Sequence, residues 1–435
     1  MFVRRSAAVL AATAVIGTAF APAAVADESP SASPSPSRTL PSGLYGSTDP
    51  TYDGVWRQSL ALLAQHTVGV KPAAKAVDWL TGQQCANGGF AAYRADPATK
   101  CDARTQIDTN STGAALQALT ALDTGGAGAG EADAAVKWLK SVQNEDGGWG
   151  YLPGGASDTN STSVVIGALE AADTDTRNLR SKDDRTPYDA LLGLALPCGK
   201  GAGAGADDGG AFAFQPDKKG KLAANADATA AGVLGALGEG LVTDPEDDGR
   251  SAAPSGAAEC AGGDSPTPAE AAANGAAYLV GAVAGTGHLE SALAGADDQP
   301  DHGNTADTVV ALAAAGRTAD AGKPLAWLEK NSASWAAASG PAAYAQLIFA
   351  AHATGTDPRD FGGADLVKQL GATGPAAASS DPSAEGGQDT KDQDDNDRSE
   401  DDGGVSVWWI VGVGLVGGIG VGFLLSSRTK KQRQP

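Results

Sequence analysis

Along most of the chain, apolar side chains return every third or fourth position, and short stretches rich in Gly, Pro, Asp and Asn break the rhythm. A period near 3.6 is that of helices with one buried face. Read with the punctuation, it predicts helices over 52–65, 72–84, 108–122, 131–143, 158–172, 187–196, 225–238, 268–283, 301–315, 323–331, 341–353 and 363–370. A hairpin of two such helices cannot bury its apolar face alone. Twelve helices in six hairpins are therefore expected to close into a ring, six inside and six outside, and the fold class is all-α.

An internal repeat organises the middle of the chain. Asp108-Thr-Asn110-Ser-Thr112 runs into an Ala/Leu stretch ending at Leu119, and 50 residues on Asp158-Thr-Asn160-Ser-Thr162 leads in the same way to Leu169. Looser copies open with Asn225-Ala-Asp227-Ala-Thr229 and Asp301-His302-Gly-Asn304-Thr305. Each copy sets an Asp or Asn four residues ahead of a Thr at the start of a helix. Between copies lies a second helix, marked by Trp79-Leu80, Trp138-Leu139, Tyr278-Leu279 and Trp327-Leu328.

Two of these second helices run into Gln84-Cys-Ala-Asn-Gly88-Gly89-Phe90 and Gln143-Asn-Glu-Asp-Gly147-Gly148-Trp149. Both strings resemble the Gln-Trp repeat of the squalene-cyclase and prenyltransferase superfamily, whose domain is an α/α toroid of six hairpins. The resemblance extends over about 49–372. It implies a structural role for the motif, in which the glutamine ties one helix end to the next, the glycines allow a tight exit and the aromatic ring covers the seam.

Composition narrows the partners. Aromatic residues make up only 5 % while glycines number 59, so the core must come from small side chains on closely approaching helices. A net charge of −21 repels phosphate backbones, which excludes nucleic acid as a natural partner. At the N-terminus, Arg4 and Arg5 precede an apolar run and Ala24-Val25-Ala26, the pattern of a signal peptide over 1–26. A Ser/Pro-rich spacer is expected over 27–48 and an acidic, disordered stalk over 373–404. Val405 to Leu425 is uncharged, opened by Trp408 and Trp409 and followed by Arg428, Lys430, Lys431 and Arg433. That is the pattern of one transmembrane helix over 405–425 with a basic cytoplasmic tail over 426–435. The expected protein is a single-pass type I membrane protein with its folded domain outside the cell. An exported chain tends to oxidise its thiols. Four cysteines allow three pairings, and local pairing joins Cys85 to Cys101 and Cys198 to Cys260.

The superfamily offers three chemistries. Terpene cyclases of this kind protonate their substrate from an Asp-x-Asp-Asp motif above an apolar cavity, but here Asp392-Gln393-Asp394-Asp395 falls in the stalk, and Asp173-Thr-Asp175-Thr sits past a helix end. Protein prenyltransferases hold zinc with Asp, Cys and His, and no Asp-x-Cys pair occurs, so no metal site is expected. The third branch is the transcobalamin and intrinsic factor-like cobalamin carriers, secreted and non-catalytic, whose inner-helix openings the string Asp108 to Leu119 resembles. That resemblance implies a corrinoid held by polar groups around the toroid mouth. Those carriers close over their ligand with a following β-domain that this chain lacks after the toroid, so a lid would come from a partner chain. No Gly-x-Ser-x-Gly, His-Glu-x-x-His or phosphate-cradling loop occurs.

The expected function is capture of a small molecule, with cobalamin as the specific candidate, at a rim formed by Asp108, Asn110, Thr112, Asp158, Asn160, Thr162, Asn225, Asp227, Asp301, His302 and Asn304. Tyr93, Trp149 and Tyr151 would form an aromatic wall there, and a membrane importer would receive the cargo. Helix capping alone accounts for the Asp/Asn and Thr pattern, and seam covering for the aromatics. An isoprenoid enzyme and a structural surface module are the competing classes.

Overall fold

The computed structural model describes residues 40–122, 128–198, 208–245, 260, 265–292 and 299–378. Six helices form an inner ring: α1 (Gly54–Thr67), α3 (Thr109–Leu122), α5 (Thr159–Ala171), α7 (Ala226–Leu237), α9 (His302–Ala314) and α12 (Pro341–Ala353). Each packs on the next, and α12 returns to α1, so the ring is closed. Outside lie α2 (Ala74–Gly82), α4 (Ala129–Ser141), α6 (Pro187–Leu192), α8 (Pro268–Ala284), α10 (Thr318–Asn331) and α13 (Leu366–Ala372), each against its inner partner. A short α11 (Ala333–Ser339) links α10 to α12, and no periodic signal in the sequence predicts it.

Burial separates the two rings. α1 buries twelve of its fourteen residues, whereas α4 buries only Ala135, Trp138 and Leu139. An inner helix has neighbours on nearly every side and must be apolar or small almost all round, as the Ala/Leu runs are. Outer helices need only a stripe.

The repeat motif works as expected. Gln84 Nε2 donates to Gly88 O at 2.9 Å and to Glu131 O, the carbonyl of an α4 residue, at 2.7 Å. Gln143 Nε2 donates to Gly147 O at 2.7 Å. Gly88 and Gly147 turn with φ of +94° and +95°, and a Cβ on either would stand 2.1 Å from a carbonyl oxygen, Ala134 O or Thr186 O, at the neighbouring outer helix. Glycine is thus required both for the backbone angle and for the close approach. Trp149 is fully buried and donates from its indole nitrogen to Leu139 O at 2.8 Å.

Two antiparallel ladders, β1 (Phe90–Ala91) with β2 (Ile107–Asp108) and β3 (Leu289–Glu290) with β4 (Pro300–Asp301), lead the chain into α3 and α9. Cys85–Cys101 and Cys198–Cys260 are disulfides, the local pairing.

The folded part reaches further at both ends than the sequence suggests. Leu44 and Tyr45, assigned to the spacer, are buried. Tyr45 Oη donates to Pro375 O at 3.0 Å and accepts from Gln65 Nε2 at 2.7 Å, and Gly46 N donates to Thr373 O at 2.8 Å. Residues 40–48 and 373–378 therefore belong to the toroid, because closing a ring brings the chain ends together. No helix among the described residues is long and apolar enough to cross a membrane. The signal peptide, the segment 405–425 and Asp392 to Asp395 lie outside the described residues.

Candidate functional site

The repeat divides its polar residues between two tasks according to helical position. The first residue of each copy is a cap. Asp108 Oδ1 accepts Ser111 N–H at 2.6 Å, Asp158 Oδ1 accepts Ser161 N–H at 2.7 Å, Asn225 Oδ1 accepts Ala228 N–H at 2.7 Å and Asp301 Oδ1 accepts Asn304 N–H at 3.0 Å. The Thr four residues later joins two elements. Thr112 Oγ1 accepts Phe90 N–H at 2.9 Å while donating to Asp108 O at 2.7 Å, and Thr162 accepts Trp149 N–H at 3.0 Å. Thr229 accepts Phe212 N–H at 2.9 Å, and Thr305 accepts Leu289 N–H at 3.0 Å. These hydroxyls are committed and fully buried. These caps and threonines serve backbone groups at the helix starts.

The residue two positions after the cap looks elsewhere. Asn110, Asn160 and Asp227 line a cavity of about 80 Å³ on the ring axis. One turn deeper on α9, Asp307 joins them, with Gln346 of α12 beside it. All six inner helices contribute to the wall. Its remainder is largely apolar, including Leu60, Val164, Leu234, Val310 and Phe349, with Trp56 from α1. Below, the loop after α7 closes the ring: Leu241 N donates to Gln117 Oε1 at 2.8 Å, and Glu239, Gly240 and Leu241 form the floor.

The carboxylates at this wall are poorly solvated. Burial raises Asp227 to about 6, and the charges of Asp301 and Asp158 add to the effect, against a stabilising bond from Asn160 Nδ2 to Asp227 Oδ2 at 2.9 Å. Asp307 is raised to about 8 by burial and then by the charge of Asp227, although Gln346 Nε2 donates to its two oxygens at 3.1 and 3.2 Å. At neutral pH the pair therefore holds one negative charge and one proton. Asn160 is 8 % exposed, and its Oδ1, on the amide that bonds Asp227, has no hydrogen-bond partner.

Residues 55–184 match the family model described as the prenyltransferase alpha-alpha toroid domain. The matched stretch runs from α1 to just before α6, and the alpha-alpha toroid it describes is the fold seen here as a closed double ring of helices. No curated protein matches the sequence. Solved structures similar to it include a protein from Actinoplanes (17 % identical, covering 68 % of this chain and 77 % of that one, TM-score 0.42). The type II terpene cyclase MstE from Scytonema is 15 % identical over 67 % of this chain and 73 % of its own, with a TM-score of 0.41. A sugar epimerase from a ruminal bacterium is 14 % identical over 67 % and 80 %, with a TM-score of 0.42.

The other rim candidates of the toroid stand apart from its cavity. His302, at the first position of α9, stacks on Trp335 at 5.3 Å between ring centroids and tilts against Trp327 at 4.9 Å. Asn304 Nδ2 donates to Asp301 Oδ2 at 2.7 Å and so supports the cap. Tyr93 stacks on Trp79 at 6.5 Å, and Trp149 covers a seam. Tyr151 lies beside Asp108, where burial and that carboxyl's charge raise its phenol above the usual range. Asp108 itself is raised by burial to about 7. The aromatic wall expected at the mouth is thus divided among separate structural contacts. Asp307, Gln117, Gln346, Trp56 and Phe349 escaped the repeat-based reading. A lone Asp or Gln inside an Ala/Val/Leu inner helix was the signal that could have found Asp307 and Gln346, since such a residue must face a cavity or be paired.

Proposed function

We propose that the toroid is a small-molecule receptor whose binding site is the axial cavity rather than the rim. One observation carries this reading: amides and carboxyls from α3, α5, α7, α9 and α12 converge on a single void with an apolar lower wall. Five helices seldom spend polar residues on one interior point without something to hold, because each costs desolvation. The signal-like and membrane-like segments at 1–26 and 405–425 support a receptor displayed outside the cell, with a lid-bearing partner and an importer as its associates. A corrin ring is far wider than a void of about 80 Å³. Cobalamin would therefore engage it through a side-chain amide, for which Asn110, Asn160 and Gln346 are complementary.

A second reading, an isoprenoid enzyme, is favoured by one feature. Asp307, raised to about 8, carries a proton at neutral pH above apolar side chains, and holding a proton there is one requirement for protonating an alkene.

Calorimetric titration of the full-length protein with cobalamin and with farnesol, alongside product analysis of the farnesol mixture, tests both. The receptor reading expects saturable binding that Asn160→Leu abolishes, since that change fills the cavity and leaves the Asp158 cap intact. Conversion of farnesol that disappears in Asp307→Asn moves the protein to the enzymes. Binding indifferent to Asn160→Leu overturns the axial cavity as the receptor site, and no saturable binding of either compound removes both as its ligands.

A further inference from the structure

The cavity has more to say about what it holds. Its upper wall is acceptor-rich: the Asp227 and Asp307 carboxyls, with the Asn160 and Gln346 amides turned so that their NH₂ groups face those carboxyls. That orientation spends the amide donors on the acids, and Asn160 Oδ1, buried and without a hydrogen-bond partner among the described residues, is a further acceptor on the same amide. Among the described residues no Lys or Arg lines the cavity beside the pair. Other ionisable groups facing this region are also acidic: Asp158 and Asp301 from the helix openings, and Glu239 from the floor. A buried acceptor without a donor is costly, and so is a poorly solvated carboxylate without a cation; a ligand that supplies N–H groups and positive charge relieves both.

We propose that the cavity takes a small amphiphilic ammonium ion, its N–H groups on Asp227, Asp307 and Asn160 Oδ1 and its hydrocarbon against Leu60, Leu234, Val310 and Phe349. The aromatic ring of Trp56, near the start of α1, lines the same cavity and suits a cation as well. An organic cation fits better than a metal ion for two reasons. The lower wall is apolar, and among the described residues no group of three or more His, Cys, Asp or Glu is placed to hold a metal. The inference rests on the receptor reading and names its ligand class.

Binding exchanges one cation for another. At pH 7 the pair holds a proton, chiefly on Asp307; the ammonium ion enters charged, the carboxyl releases H⁺ to solvent, and the bound state pairs two carboxylates with one ammonium. No covalent bond to carbon or nitrogen changes. Acidification protonates both carboxyls and removes the anionic partner, so affinity falls below the range in which Asp227 and Asp307 ionise and rises through it. An alkylammonium ion stays charged to about pH 10, as lysine does.

The test is calorimetry on the full-length protein with cyclohexylammonium chloride, using cyclohexanol as the uncharged isostere. Potassium and calcium chlorides serve as metal arms. Working in about 0.5 M NaCl suppresses attraction to the exposed acidic surface while leaving a buried pair effective. One-site binding is expected at pH 8, about tenfold or more tighter for the ammonium ion than for cyclohexanol, and weakened about tenfold by Asp227→Asn or Asp307→Asn. In buffers of different ionisation enthalpy at pH 7, up to one proton should be released per ligand bound. These variants remove a poorly solvated charge and should fold at least as well as the parent. Equal affinity for cyclohexanol overturns the ammonium inference and leaves the receptor standing. So does calcium displacing the amine, which would make the site a metal site. No binding of the amine at any pH, or binding unchanged in the Asp227→Asn, Asp307→Asn double variant, overturns the inference too, while the Asn160→Leu titrations decide the receptor separately.

Discussion

Thr162, in the first turn of α5, joins its helix to the backbone at Trp149 through one hydroxyl. It accepts Trp149 N–H at 3.0 Å and donates back to Trp149 O at 3.1 Å, inside a fully buried environment. Thr162→Val keeps the shape and deletes both bonds, leaving a buried N–H without a partner, which costs about 1–3 kcal/mol. Urea unfolding should register that loss, and ligand titrations should not. Asp307 should behave in the opposite way. Its carboxyl is raised to about 8 when folded and returns to an ordinary value near 4 when unfolded, so the native state holds the proton more tightly. Stability contributed by the protonated form is therefore present at low pH and lost as pH rises toward and through 8. Asp307→Asn removes the ionisation. Allowing for water in the cavity, it should stabilise the protein by about 2 kcal/mol at pH 8, with the difference vanishing near pH 4. A variant no more stable than the parent at pH 8 would show that the carboxyl is well solvated.

At the scale of elements, the glycine turns separate backbone angle from packing. Gly147 and Gly154 both have positive φ, +95° and +75°, but a Cβ at 147 meets Thr186 O at 2.1 Å whereas at 154 it meets nothing within 4 Å. Gly154→Ala should cost about 1–2 kcal/mol, the strain of the left-handed region alone. Gly147→Ala should cost clearly more in the same urea experiment, because α6 must also move off the turn. Most of these elements were legible in the sequence. The 3.6-residue period found the inner helices to within two residues, and the Gln-x-x-x-Gly-Gly strings found the turns. The period failed where it had nothing to read: α11 is seven residues of mostly Ala and Ser, and the first turn of α10 is polar. The site was legible in part. Asn110, Asn160 and Asp227 stood among the candidates, but beside their capping neighbours, since a repeat motif marks a helix start without fixing which side of the start faces the axis. That phase is set by the ring, through contacts such as Thr112 with Phe90, which join residues 22 apart in sequence.

The molecule as a whole depends on one seam that sequence continuity does not make. Five of the six inner contacts join successive hairpins, but α12 meets α1 only because the ring closes. The chain ends reinforce that closure. Tyr45, fully buried, links Gln65 of α1 to Pro375 beyond α13, and Gln58 Nε2 donates to both Gly43 O at 3.0 Å and Ala76 O at 2.9 Å, binding the first strap to α1 and α2. A ring opens at its least continuous joint, since every other joint is also bridged by the chain through an outer helix. Tyr45→Phe removes the hydroxyl and strands Gln65 Nε2 and Pro375 O, at about 1–3 kcal/mol. Opening there would release residues 40–48, α13 and the facing sides of α1 and α12 while leaving α5 and α7 packed. Hydrogen exchange of the Tyr45→Phe protein should therefore quicken in these terminal elements together and leave the α5 and α7 amides at parental rates. Uniform acceleration around the ring would mean that the toroid opens only by global unfolding. In that case the axial cavity, walled in part by Trp56 and Leu60 of α1 and by Gln346 and Phe349 of α12, would have to fill through its mouth rather than through the seam.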